Sequence, residues 1–464
     1  MIAAPRSGSG KTLITCAILH WLKANGYSPV SLKCGPDYID PMFHRTVLGV
    51  ESGNLDSYFM DADVICRTVM ETEGDCVCME GVMGLYDGVS PDYIEGSAYE
   101  IASLTKTPIL LIVDAKGAGR TLISVVKGIL AEDENRLVRG VLFNRMSERF
   151  YAKIASVAES EWKQAGFAVK LLGFLPELPE VRIESRYLGL KLPEEVTGLK
   201  EQIKTVSEVL SAHCDMQTVF AMMADAVPLE RKEAASGTLG LTTGVMSGQG
   251  HQDSPILAVA YDSAFCFYYR ANFAALEACG AQIVFFSPLS DTRLPKGTTG
   301  LLLGGGYPEL YAAKLSENRE MCNAVQEAVS SGMPVLAECG GFLYLHESLQ
   351  DSVGHVYPMV GVVKGACYPA GHSVRFGYCE IIEGKHDEDW FLIGLKGHEF
   401  HYYESTASGD RCMLKKASTG ELQDAMGGAG CQLWGFPHFY YPSDQGFAQH
   451  FVKEMKEYAD TRSV

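Results

Sequence analysis

A cysteine between an apolar run and two glycines is the first feature of the chain that could do chemistry. Cys339 follows the apolar residues 334–337 and precedes Gly340 and Gly341. A strand that leads into a tight turn exposes the side chain at the turn, as in a nucleophile elbow. The thiolate is the reactive form of cysteine. The pattern favours a thiol nucleophile over the ordinary alternative, an inert buried cysteine.

A thiol nucleophile needs a base and hydrogen-bond donors for an oxyanion, and the sequence offers candidates for both. His438 is the preferred base, and His398 and His401 remain alternatives. A glycine run at residues 304–306 follows another apolar segment and could present backbone N–H groups to an oxyanion. We predict that the oxyanion donors are Gly305, Gly306 and Gly340.

A second glycine-rich segment lies near the amino terminus and has the make-up of a phosphate-binding loop. It consists of Gly8, Ser9, Gly10, Lys11 and Thr12. In such loops the backbone N–H groups surround phosphates, the lysine adds positive charge and the hydroxyl binds Mg²⁺. Pro5 stands where the usual spacing has its first glycine, so the loop is a variant. We expect it to bind a nucleotide.

Carboxylates follow the predicted strands of the same half of the chain. Asp37 and Asp40 lie in a proline-flanked loop, Glu80 ends a strand, and Asp87 lies in the glycine-containing loop after it. Carboxylate oxygens are good Mg²⁺ ligands. The alternative for the two loop aspartates is an Asx turn without a ligand. We predict that the metal ligands are Thr12, Asp37 and Glu80.

Strands and helices alternate along the chain, which predicts an α/β fold with parallel sheets covered on both faces. Early strands are predicted at residues 29–33, 76–79, 109–113, 138–143 and 171–174. The candidate chemical residues follow such strands, and ligands of parallel sheets lie at the carboxyl ends of the strands. The agreement between the two observations strengthens the prediction of a nucleotide site.

The length of 464 residues and a change in composition predict two domains. Residues 234–254 are rich in glycine, serine and threonine, which is typical of a linker. A second α/β series begins at residue 256. We predict a first domain at residues 1–233, a linker at residues 234–254 and a second domain at residues 255–464.

Composition excludes several classes of protein. Apolar residues make up 47% and charged residues 21% of the chain, as in a globular protein. The formal net charge of −18 argues against a nucleic-acid or anionic-membrane binder. No leader is evident, and no apolar run approaches the roughly 18 residues of a membrane span. The 14 cysteines are scattered in mostly apolar segments. We expect a reducing, cytoplasmic location.

The segments described above resemble the cobyrinic acid a,c-diamide synthase family over nearly the whole chain. The resemblance rests on residues 3–12, 33–41, 80–88, 304–309 and 337–341. The string Pro-Asp-Tyr-Ile-Asp-Pro at residues 36–41 is the most specific of them. It separates this family from cobyric acid synthase and dethiobiotin synthetase, which share the phosphate loop.

The resemblance implies two coupled domains. The first would be a P-loop synthetase domain similar to dethiobiotin synthetase, and the second a flavodoxin-like class I glutamine amidotransferase domain. Cys339 would attack glutamine with the help of His438. Ammonia would then react with a corrinoid carboxylate activated by ATP and Mg²⁺ as an acyl phosphate, on the a- and c-acetate side chains. The resemblance assigns Asp37, Asp40 and Asp87 to the acceptor region and Asn144 to the nucleotide.

Other readings remain open at this point. The same reaction could act on hydrogenobyrinic acid or nickel sirohydrochlorin, or the chain could be a cobyric acid synthase. A P-loop partition or switch protein is an alternative of a different class. We expect small-molecule substrates and neither nucleic-acid nor membrane partners. The order of amidation, the oligomeric state and a third member of the Cys–His site are left open.

Overall fold

The structure is a computed structural model that describes residues 1–181, 185–186, 189–190, 198–229 and 254–462. The chain divides into two compact units, Met1–Thr243 and Gly244–Val464. Both are α/β, which confirms the predicted fold class. The predicted linker lies outside the described residues except for its last position, so the predicted domain boundaries stay predictions.

The first unit is built on a seven-stranded parallel sheet in the order β3-β2-β4-β1-β5-β6-β7. The strands are β1 Ile2–Ala3, β2 Pro29–Cys34, β3 Ser52–Leu55, β4 Cys76–Glu80, β5 Ile109–Asp114, β6 Val138–Asn144 and β7 Lys170–Leu175. Parallel sheets are covered on both faces, which explains the almost uninterrupted apolar run of β5. A short hairpin follows, formed by β8 Ser185–Arg186 and β9 Gly189–Leu190.

Eight helices in the described part of the first unit connect or cover these strands. They are α1 Lys11–Ala24, α2 Ile39–Leu48, α3 Ala62–Met70, α4 Ala98–Leu104, α5 Thr121–Glu132, α6 Glu148–Gln164, α7 Leu199–His213 and α8 Met216–Ala224. Helix α7 packs against α1, where the Ser207 hydroxyl donates to the carbonyl of Ala17 at 3.0 Å. The helix that begins with Lys11 is therefore packed along its buried face against another helix.

The second unit contains a five-stranded parallel sheet in the order β11-β10-β12-β13-β22. Its strands are β10 Ile256–Ala260, β11 Gln282–Phe286, β12 Thr298–Leu303, β13 Val335–Glu338 and β22 Gln432–Gly435. Numbered along the chain, this order is 2-1-3-4-5, the flavodoxin-like order. Its α-helices are α9 Arg270–Ala278, α10 Ala312–Glu317, α11 Arg319–Ser330, α12 Gly340–Leu345 and α13 Gln445–Arg462.

Two further sheets lie between β13 and the end of the second unit. One has the order β15-β14-β16-β19 and the other β21-β20-β17-β18-β23. Their strands are β14 His346–Gln350, β15 Val356–Pro358, β16 Val363–Pro369, β17 Arg375–Gly384, β18 Lys396–His401, β19 Tyr403–Ser405, β20 Cys412–Lys416, β21 Leu422–Ala425 and β23 His438–Phe439. The sequence analysis did not predict these sheets. One of them pairs the strand of His398 with the strand of His438.

Candidate functional site

The glycine loop of the first unit connects β1 to α1 in a conformation that requires glycine. Gly8 and Gly10 have φ values of +74° and +93°. A Cβ atom on Gly10 would lie 2.2 Å from Nδ2 of Asn144. The same amide nitrogen donates to the carbonyl oxygen of Ser9 at 2.8 Å. Asn144, at the end of β6, therefore braces the loop, a contact that the sequence did not reveal.

Lys11 begins α1 and is buried. Its ammonium group donates to the carbonyl oxygen of Arg6 at 3.4 Å and to that of Met83. Burial, followed by the neighbouring charge of Lys33, lowers the pKa of Lys11 to about 8. The two carbonyl groups hold the lysine between the glycine loop and the loop after β4. A lysine in that position can reach phosphate oxygens cradled by the loop.

Three predicted residues meet next to Lys11. The hydroxyl of Thr12 donates to Oε1 of Glu80 at 2.6 Å and lies 3.1 Å from Oδ2 of Asp40. The ammonium of Lys33, at the end of β2, donates to Asp40 at 2.5 Å and to Glu80 at 2.8 Å. We call Thr12, Lys33, Asp40 and Glu80 the acidic cluster.

Burial and charge oppose one another within the acidic cluster. Burial raises the pKa of Glu80 to about 7, although the adjacent ammonium opposes this shift. Burial would also raise the pKa of Asp40, but the charge of Lys33 and the hydrogen bonds outweigh it and the pKa is lowered. The carboxylates raise the pKa of Lys33 well above its usual value despite its burial. The cluster is therefore held together by charge in a buried environment.

The donor set of the acidic cluster fits a magnesium ion. Oε2 of Glu80 is buried and has no hydrogen-bond partner among the described residues, and Nε2 of His44 lies 3.7 Å from it. The imidazole of His44 is itself buried, which lowers its pKa to about 4 and keeps it neutral. A hydroxyl and two carboxylates are the hard oxygen ligands that Mg²⁺ takes beside nucleotide phosphates.

The other two predicted aspartates lie around this cluster. Oδ1 of Asp37 accepts hydrogen bonds from the backbone N–H groups of Ile39 and Asp40 at 2.9 and 3.0 Å, as in an Asx turn. Its Oδ2 lies 3.9 Å from Nζ of Lys33, and burial raises the pKa of Asp37 to about 6. Asp87 accepts from the N–H of Gly84 at 2.7 Å. Asp37 therefore binds the first two backbone N–H groups of α2.

Cys339 occupies a strained turn between β13 and α12. Its φ and ψ angles are 45° and −99°, which is rare for a residue with a side chain. Its N–H donates to the carbonyl of Gly435 at 2.8 Å, so the neighbouring strand β22 fixes the turn. Burial is the main cause that raises the pKa of the Cys339 thiol to about 12. The geometry is that of a nucleophile elbow with a neutral thiol.

The glycine run after β12 brings the predicted residues of the thiol site together. A Cβ atom on Gly305 would lie 2.3 Å from Cε1 of His438. A Cβ atom on Gly340 would lie 3.0 Å from the amide nitrogen of Gly306. The N–H of Gly341 also donates to the carbonyl of Gly304 at 2.9 Å. The turn that carries the cysteine, the glycine run and His438 are thus in direct contact.

The three candidate histidines occupy different environments. His438 pairs with His398 across β23 and β18, and their ring centroids are 5.2 Å apart. The ring of His401 stacks on Phe436 at 3.9 Å, and its Nδ1 is 2.7 Å from the carbonyl oxygen of Tyr403. Burial lowers the pKa values of all three, and that of His398 to about 3. Because His438 touches Gly305, the geometry favours it over the alternatives.

Glu338 is a buried acid of the thiol site that the sequence analysis missed. Its Oε1 accepts hydrogen bonds from the N–H of Phe439 at 3.3 Å and from the hydroxyl of Tyr441 at 3.0 Å. Burial raises the pKa of Glu338 to about 8. Asn272 binds the same segment through the carbonyl of Phe439 and the N–H of Tyr441. The only sequence signal was an acid at the end of an apolar strand.

Two family models match the chain and agree with this division. Residues 1–189 match the CobQ/CobB/MinD/ParA nucleotide binding domain. Residues 256–435 match the CobB/CobQ-like glutamine amidotransferase domain. Together with the two sites, these matches define the class of the protein: a ligase that forms amides with nitrogen from glutamine.

Relatives named cobyrinate a,c-diamide synthase match nearly the full length. The protein from Listeria innocua is 34% identical over 434 residues and covers 91% of either chain. The one from Picrophilus torridus is 31% identical and covers 98% of either chain. The one from Thermoplasma volcanium is 36% identical over 86% of this chain and 84% of the relative. The chain belongs to the cobyrinate a,c-diamide synthase family.

Among the residues that the structure describes, no helix combines the length and the apolar character needed to cross a membrane.

Proposed function

We propose that this protein uses ATP and glutamine to amidate the a- and c-acetate carboxylates of cobyrinic acid, through acyl phosphates, in cobalamin biosynthesis. The observation that carries the proposal is the strained turn of Cys339 in contact, through the glycine run, with His438. The names of the relatives support the acceptor. The acidic cluster and the glycine loop support the use of a nucleotide.

The first unit would activate the carboxylate. The backbone amides of residues 8–10 and the ammonium of Lys11 would bind the phosphates of ATP, and Thr12, Asp40 and Glu80 would hold the magnesium ion. When bound, Mg²⁺ neutralises charge that develops on the transferred phosphoryl group. A carboxylate oxygen of the corrinoid attacks the γ-phosphorus and ADP leaves. The acyl phosphate then has a good leaving group where the free acid had none.

Three further predicted residues of the first unit, Asp37, Asp87 and Asn144, lie near the strand ends around the glycine loop. Asp37 and Asp87 lie in the loops after β2 and β4, at the carboxyl ends of the strands where ligands of parallel sheets bind. We propose that they face the corrinoid acceptor or the magnesium ion. Asn144 braces the glycine loop and lies next to it at the end of β6, so an adenine contact by its amide remains part of the proposal.

The second unit would release ammonia. Cys339 and His438 are both neutral in this structure, because burial raises the pKa of the thiol and lowers that of the imidazole. The thiol proton would pass to His438 as the sulfur attacks the glutamine carboxamide. The N–H groups of Gly305, Gly306 and Gly340 would stabilise the oxyanion. The imidazolium then protonates the leaving nitrogen, and water hydrolyses the thioester to glutamate.

The coupling of the two steps has a chemical reason. Ammonium, the form of ammonia that dominates in neutral water, has no free electron pair for attack. A nitrogen released from glutamine and used before solvent protonates it keeps that pair. It attacks the acyl carbon, inorganic phosphate leaves, and the nitrogen loses a proton to give the amide. One polypeptide with both sites would therefore perform a glutamine-dependent amidation that neither site performs alone.

The test is an assay of the purified full chain with ATP, amide-¹⁵N glutamine and a panel of acceptors. The panel contains cobyrinic acid, hydrogenobyrinic acid, nickel sirohydrochlorin and cobyrinic acid a,c-diamide, the last of which tests the cobyric acid synthase reading. Mass spectrometry of products from cobyrinic acid should show two labelled amides, with ADP and phosphate formed in step. Preference for another acceptor would change the assigned substrate, and no ATP consumption with any acceptor would refute the proposal.

A further inference from the structure

A cysteine, a histidine and a glutamate come together in the second unit away from the thiol site. One ligand atom from each of Cys431, His450 and Glu454 lies within 4.8 Å of the other two. Cys431 precedes β22, and the other two lie on α13. All three side chains are partly buried, so the group can be reached from solvent. None of these residues takes part in the proposed reaction.

A buried arginine fixes the turn that carries Cys431. The guanidinium of Arg411 donates to the carbonyl of Gly430 and to that of Gln432, each at 2.7 Å. The same group pairs with the carboxylate of Asp389 at 2.5 Å, and both side chains are almost completely buried. Carbonyls on either side of the cysteine are thus held by one rigid side chain. The backbone on both sides of Cys431 is therefore held in place by a buried side chain.

His450 and Glu454 form a pair on α13, and the ring of His450 packs against the short helix that contains Asp389. Nε2 of His450 lies 3.9 Å from Oε1 of Glu454, one turn later on α13. The ring of His450 packs against that of Phe391 with 4.1 Å between centroids. Phe391 belongs to the short 3₁₀ helix Asp387–Leu392, which also contains Asp389. One short helix therefore supports both the turn of the cysteine and the ring of the histidine.

The chemistry of the three ligands selects a class of metal ion. Thiolate, imidazole and carboxylate are the protein ligands of zinc, whereas magnesium takes oxygen ligands. A tetrahedral zinc ion places its ligand atoms roughly 3.3–3.8 Å apart. The His450–Glu454 distance of 3.9 Å is near this range. The three ligand atoms lie within 4.8 Å of one another, so small rotations of these partly exposed side chains would bring them to zinc-binding distances.

We propose that Cys431, His450 and Glu454 form a binding site for Zn²⁺, with water as the fourth ligand. Binding removes the thiol proton to solvent, so a dication meets two anionic ligands and one neutral imidazole. The bound ion would join the first half and middle of α13 to the turn before β22. Such a site is independent of the proposed amidation reaction, and its occupancy can be measured without an activity assay. The alternative is an ordinary ion pair between His450 and Glu454 near Cys431, which predicts no bound metal ion.

The experiment uses the full chain, stripped with a chelator and kept reduced with a phosphine. Zn²⁺ binding is measured by equilibrium dialysis with metal analysis, and Co²⁺ is added separately to report thiolate ligation through its charge-transfer absorption. The test variants are Cys431→Ser and Glu454→Gln, which are close in shape to the native residues. The control variants are Cys66→Ser, a half-buried cysteine of the other unit, and Glu457→Gln on the same helix.

The wild-type chain should bind one more Zn²⁺ than Cys431→Ser and should show a thiolate–cobalt band that this variant lacks. Glu454→Gln should weaken binding at this site at least about tenfold, because a ligand of the ion is lost. Both control variants should bind as the wild type does. Equal stoichiometry and affinity in the wild type and Cys431→Ser would mean adventitious binding by other cysteines only, and would overturn the proposal.

Discussion

The carboxylate of Glu338 accepts a hydrogen bond from the backbone N–H of Phe439 at 3.3 Å. The first residue directly precedes Cys339 and the second directly follows His438. A single hydrogen bond therefore joins the side chain of the residue before the proposed nucleophile to the backbone of the residue after the proposed base. Tyr441 donates to the same oxygen at 3.0 Å and strengthens this link.

Replacement of Glu338 should affect glutamine hydrolysis through this link. In Glu338→Ala the segment of His438 loses one of its anchors, and we expect kcat for glutamine hydrolysis to fall about 100-fold, as it does when a catalytic group is misplaced by a small distance. Glu338→Gln keeps an oxygen acceptor for both donors and should stay close to the wild type. Synthesis with high ammonium should be unchanged in both variants. Equal loss in the glutamine variant would contradict a role of Glu338 that rests on hydrogen-bond acceptance alone.

The buried carboxyl group also predicts a dependence of stability on pH. Burial raises the pKa of Glu338 from 4.5 to about 8, so the folded chain binds the proton more tightly than the unfolded chain does. Proton binding by Glu338 therefore stabilises the folded chain fully below pH 4.5, and this stabilisation is lost as the pH rises through about 8. Glu338→Gln cannot titrate. The melting temperature of Glu338→Gln minus that of the wild type should therefore increase as the pH is raised from about 5 to about 8. A difference in melting temperature that does not change with pH would contradict the raised pKa of Glu338.

Gly305→Ala should disrupt the thiol site by steric contact alone. The added methyl group would lie 2.3 Å from Cε1 of His438, so the ring must move away. We expect glutamine hydrolysis to become undetectable or very slow, while synthesis with ammonium persists. Gly119→Ala is a suitable control, because its added methyl group would meet nothing within 4 Å. Normal glutaminase activity in the Gly305 variant would argue against His438 as the base.

Cys339→Ala removes the proposed nucleophile and separates the two nitrogen sources. We expect no glutamine-dependent synthesis, because no thioester can form, and normal synthesis at high ammonium concentration. Amide product from both sources should be measured by mass spectrometry. Cys279→Ala, which removes a half-buried cysteine of the same unit, should behave as the wild type. Loss of both activities in Cys339→Ala would contradict the proposed division of labour.

Lys11→Ala tests the nucleotide site. The ammonium group at the start of α1 would no longer stabilise the phosphates, and we expect amide formation to fail with glutamine and with ammonium. Some glutamine hydrolysis should remain, because the thiol site is in the other unit. Lys23→Ala removes a lysine from the other end of the same helix and serves as the control. Unaffected synthesis in Lys11→Ala would refute the assignment of the loop.

The sequence predicted most of the parallel framework because local patterns specify it. The strand predicted at residues 109–113 is β5 Ile109–Asp114, and the one predicted at residues 138–143 is β6 Val138–Asn144. β5 is a buried apolar run, β6 is buried and mostly apolar except at Arg139, and each ends at a polar side chain. The glycine loop was equally predictable, since glycine at positive φ and the Gly-Lys-Thr string are local features.

Long-range pairing explains what the sequence did not reveal. Strands such as β14 His346–Gln350 and β21 Leu422–Ala425 are short and partly polar, so only their partners define them. Lys33 and Asp40 belong to one recognised string, yet the bond of Lys33 to Glu80 depends on a strand 47 residues further along the chain. Glu338 likewise receives its donors from residues about a hundred positions away.

The presence of Lys33 in the acidic cluster has a consequence for the resting enzyme. Lys33 pairs with both Asp40 and Glu80 and so acts as a counter-ion that belongs to the chain itself. In the proposed complex, a magnesium ion would have to share the oxygens of Asp40 and Glu80 with the ammonium group of Lys33. The phosphates of the proposed nucleotide would then offer negative charge with which the displaced ammonium group of Lys33 could pair.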